Sequence, residues 1–361
     1  MLVNYIIGEK TGAMFGQSRH QKMVYELLKK KAQFNVIGYK GLRLPLFSLL
    51  PKHLLYPKIV NRNLKDGVIH IASHEQAHLL DSLKEKSAIV TVFDVFPIYI
   101  LKNRLTKEYG WSSYMLHRLD VPMWAGALKK AARIISISEF SKKEVVKNFH
   151  YPAERVTVTH LGVDTGKYKP LRDFKKPFEF EEKVVMYSGT EEFRKNVPVL
   201  LKAFYKIKKK LPGVKLVKVG KAGSKVGRAG ISSLIDQLGL QNDVTFFDYV
   251  PENELPKFYN SADVFVFPSS YEGFGLPPLE AMACGVPVVT SNAASLPEVV
   301  GDAGIMKNSQ DVSGFADAIY NVLTDDGLSD SFAKKGLKRA KSFSWQKTAE
   351  KTFVVYKEVG G

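Results

Sequence analysis

Residues 269–291 read SSYEGFGLPPLEAMACGVPVVTS, and the fold follows from them. The apolar run DVFVFP ends at Pro268, and the turn-forming SSYEGFG comes directly after it. Pro277 and Pro278 suit the first turn of a helix, where a missing N–H costs nothing. Gly285 suits the position just past the end of that helix. The stretch therefore predicts a strand, a glycine loop, a short helix and a second buried strand, VPVVT. Gly273 and Gly275 let the backbone approach a ligand closely. The N–H groups around Gly275 and Leu276 lie at the positive end of the predicted helix, where a phosphate is favoured.

Two carboxylates flank this loop. Glu272 precedes the glycines, and Glu280 is expected in the first helical turn. Charge bars both from a diphosphate, but carboxylates accept hydrogen bonds from sugar hydroxyls. Glu280 is thus expected to take ribose hydroxyls and Glu272 those of a transferred sugar. Taken singly, Glu280 reads equally as a carboxylate answering the helix dipole, and Glu272 as a solvated loop acid.

Outward from the motif the chain alternates short apolar runs with amphipathic stretches. VNYIIG, FNVIGY, GVIHIAS, AIVTVFD, RIISIS and RVTVTHLG read as strands. Their nearly continuous, β-branched character suits parallel strands buried on both faces. Residues 169–182 are polar and proline-containing and read as a linker. The rhythm restarts with KVVMYSG, KLVKVG, DVTFFDYV, DVFVFPS and VPVVTS. The fold class is α/β: two Rossmann-like, doubly wound parallel sheets, over 1–168 and 183–345, expected to face each other across a cleft. A last helix, about 346–361, is expected to cross back to the first domain.

Composition narrows the partners. Fifty-three Lys+Arg against 36 Asp+Glu give a net charge of +17 in 361 residues. Residues 1–165 hold 25 basic and 13 acidic side chains, so the surplus is concentrated there. Such charge points to an anionic partner: a phosphorylated ligand, a membrane surface or nucleic acid. No basic-aromatic RNA motif or zinc-finger spacing supports specific nucleic-acid binding. A single cysteine, Cys284, excludes an internal disulfide framework and fits a reducing compartment. The start, MLVNYIIGEK, has no basic n-region and too short an apolar stretch to read as a signal peptide, and no apolar run approaches the roughly 18–20 residues needed to span a bilayer. A cytoplasmic protein that meets the inner face of the membrane is expected. Residues 42–60, LRLPLFSLLPKHLLYPKIV, are apolar, basic and broken by proline, and read either as a packed loop-helix or as a bilayer-contact surface.

The 269–291 segment resembles the signature of the retaining glycosyltransferases of family four, which have the GT-B fold. Glu272, Gly273, Phe274, Gly275 and Glu280 match it residue by residue. VVMYSGTEEFRKN resembles the strand and loop that supply cations to the donor diphosphate, here Arg194 and Lys195. FFDYVPENELPKFYNSADVFVFPSS resembles the stretch before the signature, and Val250 falls where the main chain meets the base. TGAMFGQSRHQKMVYELLKK resembles the first glycine-rich loop and helix, with Gly16 approaching the donor phosphate. AIVTVFDVFP resembles a strand that ends in His-Asp, so that Asp94 matches the aspartate and Phe93 replaces the histidine. Thr190 stands where many relatives place an arginine. His70 and His74 read as structural histidines, and the Ser295–Glu298 spacing reads as a capping box.

The resemblance implies transfer of a hexose from a nucleotide diphosphate sugar, of the GDP-mannose or UDP-glucose type. The acceptor would be a glycan or lipid-linked molecule, and the new linkage α. Arg194, Lys195 and the helix start would stabilise the departing diphosphate, Glu272 would position the sugar, and Asp94 would act from the first domain. No metal or other cofactor is expected, since no Asp-x-Asp motif is apparent. The rival classes are a phosphorylase or hydrolase on the same fold, a non-catalytic scaffold, and a basic nucleic-acid binder.

Overall fold

The computed structural model describes residues 1–9, 16–39, 51–83, 87–179, 181–223 and 225–361. The chain divides into two units, Met1–Gly162 with Trp345–Gly361, and Val163–Ser344. The division falls before residue 168. Val163 N–H donates to the Phe343 carbonyl, and the Tyr168 ring is buried against Tyr259, so this stretch packs with the second unit.

The first unit holds β1 (Leu2–Glu9), β2 (Gln33–Tyr39), β3 (Val68–Ile71), β4 (Ala88–Val92), β5 (Arg133–Ser136) and β6 (Val156–Val158). They form one parallel sheet in the order β2-β1-β3-β4-β5-β6. Its helices are α1 (Gly16–Leu28), α2 (Tyr56–Asn63), α3 (Phe96–Lys102), α4 (Thr106–Tyr109), α5 (Trp111–Leu128) and α6 (Glu139–Phe149). Side-chain alternation along the strands divides the core in two. Ile69, Ile71, Val90 and Val92 pack with Trp124 of α5 on one face. Val68 and Ile89 pack on the other with Val24 of α1 and Tyr356 of the last helix. His70 lies on that second face. Its Nδ1 is 2.7 Å from the Tyr356 hydroxyl and its Nε2 2.8 Å from that of Thr91, so both ring nitrogens are satisfied.

The second unit holds β7 (Val184–Ser188), β8 (Lys215–Val219), β9 (Val244–Phe247), β10 (Val264–Phe267), β11 (Val288–Ser291) and β12 (Ile305–Lys307). Its parallel order is β12-β11-β10-β7-β8-β9. The sequence reading omitted β12, whose three half-buried residues, IMK, are too few to register as a strand. The helices are α7 (Val197–Lys208), α8 (Lys225–Leu238), α9 (Leu255–Asn260), α10 (Leu276–Ala283), α11 (Leu296–Val300), α12 (Val312–Thr324) and α13 (Asp326–Ala340). Helix α14 (Trp345–Gly360) belongs to the first unit, where Thr348 donates to the His160 carbonyl at 2.6 Å and Arg133 pairs with Glu358.

The strand order of the second unit locates its site. From β7 the chain winds outward to β8 and β9. It then returns to the other side of β7 with β10 and continues outward to β11 and β12. β7 and β10 are therefore neighbours whose following loops diverge, the switch point where open α/β sheets bind ligands at strand carboxyl ends.

Candidate active site

The loop after β7 and the loop after β10 are stitched together at this switch point. Ser270 N–H donates to the Arg194 carbonyl at 2.8 Å. Asn196, left-handed at φ 56°, donates through Nδ2 to the Pro268 carbonyl at 3.1 Å. A 3-10 turn, Phe193–Lys195, thereby presents two cations beside the loop that carries Glu272. Lys195 Nζ is 2.7 Å from Glu272 Oε1 and lies over the Phe267 ring. Arg194 Nη1 reaches Glu272 Oε2 and the Tyr271 carbonyl, both at 3.3 Å, while its Nε bonds Glu192 at 2.9 Å. Burial pushes the Glu272 carboxyl up, but Lys195 and Arg194 outweigh it and hold the group below the usual carboxylate range. Burial also draws the Lys195 ammonium down, against the pull of Glu272.

The glycine loop is fixed from behind. Gly275 caps α10 at φ 114°, and a Cβ there would stand 2.9 Å from Leu296 Cδ2. Ser295 Oγ lies 2.9 Å from the Glu272 carbonyl and 2.7 Å from that of Phe274. The expected capping box is therefore corrected: the Ser295 hydroxyl makes no helix cap and instead clasps the glycine loop. Pro277 and Pro278 remove two N–H groups from the start of α10, so Gly275 and Leu276 are the amide-bearing positions there.

Glu280 also departs from expectation. It lies in the second turn of α10, is 4 % exposed, and accepts a 2.8 Å hydrogen bond from the buried Tyr259 hydroxyl. The tyrosine fixes the orientation of its carboxylate. Val250 follows β9 and is half-buried, next to the exposed Tyr249.

A buried ionic network underlies the β7 loop. Glu191, its side chain fully buried, accepts from Arg228 Nε and Nη2 and pairs with Lys218 Nζ at 2.7 Å. Arg228 also pairs with Asp248. Glu191 N–H donates to the Ala222 carbonyl, so the network braces the residues leading to Arg194 and Lys195. Sequence reading missed it. Lys218 lies inside strand KLVKV, where a lysine reads as solvent-facing, and no local spacing pairs it with Glu191.

Gly16 and Asp94 belong to the first unit. Gly16 is the first residue of α1, and the loop before it, 10–15, lies outside the described residues. Asp94 follows β4, is half-buried and accepts from Phe96 N–H at 3.0 Å, which turns the chain into α3. Phe93 is buried edge-on against His20, 5.3 Å between ring centres. His20 has no hydrogen-bond partner on either ring nitrogen among the described residues, and burial holds its pKa down near 4, so the ring is neutral. Residues 42–50 lie outside the described residues; 51–60 form a π-helical turn, Pro51–Leu55, and the start of α2. Among the described residues no group of three or more His, Cys, Asp or Glu side chains is placed to hold a metal ion. No described helix is long and apolar enough to cross a membrane.

Two parallel six-stranded sheets, with a cation-carboxylate cluster and a glycine loop at the switch point of the second, define a class of two-sheet transferases, and the chain belongs to it: it is a family-four glycosyltransferase with the GT-B fold. Residues 169–339 match Glycosyl transferases group 1, and residues 21–167 match Glycosyltransferase Family 4. The chain is 33% identical over 306 residues to O-antigen chain mannosyltransferase B of Escherichia coli, covering 82% of this chain and 75% of that protein. It is 31% identical to the D-inositol 3-phosphate glycosyltransferase of Mycolicibacterium smegmatis, covering 63% of this chain and 53% of the other. Sucrose-phosphate synthase from Thermosynechococcus elongatus shares the fold at TM-score 0.80 and 21% identity, over 99% of this chain and 98% of the other. An Anabaena protein, HepE, solved with UDP-glucose, does so at 0.79 and 16%, over 99% and 100%.

Proposed function

We propose that this glycosyltransferase moves a hexose, with mannose the first candidate, from a nucleotide diphosphate sugar to a glycan or lipid-linked acceptor at an anionic membrane surface, forming an α-linkage with retention. The observation that carries the reading is Glu272 held between Lys195 and Arg194 at the mouth of the glycine loop. Mannose is put first because of the likeness to an O-antigen mannosyltransferase.

The chemistry asks for a stabilised leaving diphosphate and an electron-poor anomeric carbon. Arg194 and Lys195 are fixed cations in a partly dry site, where charge stabilisation is strong. The amides at Gly275 and Leu276 add the positive end of α10. With these cations neutralising the diphosphate, the reaction proceeds without a metal ion. Glu272 positions the sugar through its hydroxyls. Glu280, oriented by Tyr259, takes the ribose, and Val250 meets the base. The acceptor oxygen attacks the anomeric carbon on the face from which the diphosphate departs, and the leaving phosphate takes its proton, so configuration is retained.

Calorimetry across GDP-mannose, GDP and UDP-glucose tests the donor, with GDP-mannose expected to bind and Lys195→Ala expected to abolish the binding. Failure of every nucleotide diphosphate sugar to bind would overturn the reading. Product analysis decides the reaction: free sugar marks hydrolysis, sugar phosphate marks phosphorolysis, and a β-linked product excludes retention. Activity lost in EDTA and restored by manganese would refute metal independence.

A further inference from the structure

Seven of the twelve large apolar side chains left exposed among the described residues lie between positions 54 and 123, all in the first unit. Helix α5 carries three of them. Its inward face buries Val121, Trp124, Ala127 and Leu128. Its outward face shows Trp111 at 67 % exposure, Leu119 at 57 % and Met123 at 46 %. A surface helix ordinarily turns polar groups to that side. The only charged residues in the eighteen of α5 are Arg118 and Asp120.

Asp120 is neutralised, and the way it is neutralised extends the face. Lys52 Nζ reaches its two oxygens at 2.7 and 2.9 Å, and His53 Nε2 lies 3.0 Å from Oδ1. These bonds pin the turn Pro51–Leu55 to α5 beside Leu119 and Met123. The next two residues of that turn, Leu54 and Leu55, are more than half exposed, and Ile59 follows one turn on in α2. The exposed ionisable residues on α2, α3, α4 and α5 are Lys58, Arg62, Lys102, Lys107 and Arg118, against one acid, Glu108.

We propose that the first unit docks on an anionic bilayer through this face, with Trp111, Leu119, Met123, Leu54 and Leu55 entering the headgroup boundary and the surrounding cations meeting lipid phosphates. The charge pattern chooses the occupant. A second copy of the chain would set these five cations against their own symmetry mates. A bilayer with acidic lipids complements them, and aromatic and long apolar side chains suit its interfacial layer. The proposal deepens the membrane-side acceptor reading above. It differs from the expectation drawn from residues 42–60 in centring on α5 rather than on the proline-broken stretch.

The test is flotation of the full chain, without substrates, on vesicles containing about one third phosphatidylglycerol and on pure phosphatidylcholine vesicles. Binding is expected on the anionic vesicles only, and it is expected to weaken about fivefold for each of Lys102→Gln and Lys107→Gln. Trp111→Ser, Leu119→Ser and Met123→Ser together are expected to lower binding at least about tenfold while leaving donor calorimetry and the circular dichroism spectrum unchanged. No flotation at low salt, or unchanged flotation of the triple variant, would overturn the proposal. So would a wild-type dimer in sedimentation that the triple variant dissociates, which would assign the face to a second copy. Donor binding is measured separately, so failure of the surface and failure of the transferase reading are distinguishable.

Discussion

Replacing Glu191 by glutamine removes one charge from a place where water cannot replace it. Lys218 is 2 % exposed, and Glu191 is its only carboxylate partner among the described residues, at 2.7 Å. The other acceptors at its Nζ are the carbonyls of Gly220 and Lys221. Burial already draws the Lys218 pKa down, and the Glu191 carboxylate opposes that pull. Without the carboxylate the ammonium is a buried unpaired cation, and breaking such a pair costs about 3–5 kcal/mol. The loss has a ceiling, because the lysine can shed its proton. From an unfolded pKa near 10.4 that escape costs about 5 kcal/mol at pH 7. For a domain of this size the loss lowers the melting temperature of the second unit by roughly 6–20 °C.

The pH dependence of this defect separates an electrostatic cause from a packing one. In Glu191→Gln the folded state holds the Lys218 proton less tightly than the unfolded state does. The unfolded chain therefore binds more protons, and stability rises with pH up to about 10.4. The gap to wild type should shrink from several kcal/mol at pH 7 to about 1 kcal/mol near pH 9.5. Adding Lys218→Met removes the stranded charge and should return most of the loss, since Arg228 keeps its pairing with Asp248. Calorimetric melting of the single and double variants from pH 7 to 9.5 is the assay. A defect that stays constant with pH, or a double variant no more stable than the single one, would refute the reasoning.

Other expectations follow from the site. Lys195→Ala and Glu272→Gln should each lower transfer by about a hundredfold or more while keeping the wild-type fold by circular dichroism, and near-normal turnover in both would remove the cluster from catalysis. Ser295→Ala releases the carbonyls of Glu272 and Phe274 and should cost about 1–3 kcal/mol in urea unfolding, with a higher donor KM. Gly275→Ala forces a side chain into φ 114° against Leu296 and should cost about 1–3 kcal/mol; donor affinity as tight as wild type would show the loop to be dispensable.

Which features were legible in the sequence depended on the range of the interaction. Eleven of the strands announce themselves as local apolar runs, because parallel strands buried on both faces need no alternation. The helix α10 is read from its prolines and its closing glycine, both local signals. Glu272 was legible from its place before the glycines, but Arg194 and Lys195 stood out only through motif likeness, since 77 residues separate Lys195 from the carboxylate it bonds. Ser295 was misassigned for the same reason. Its spacing to Glu298 fits a capping box, but the two carbonyls of the glycine loop, 21 and 23 residues earlier, compete for its hydroxyl and win. Glu191 and Lys218 carry no motif, and only the sheet order brings β8 beside β7.

The contacts of Glu272 bear on how the proposed donor site would work. Two cations this close repel each other, and burial draws protons off the lysine. Glu272 counters both effects by bonding Lys195 and Arg194. In the proposed reaction a donor diphosphate would supply the same negative charge. The cations would then share their hydrogen bonds with the phosphates, and the Glu272 oxygens would gain acceptor capacity for sugar hydroxyls. The cluster would serve both roles on a backbone that the Ser270 amide and the Ser295 hydroxyl hold in place. Such an arrangement is organised before the substrate arrives, which is where electrostatic catalysis draws its advantage over water.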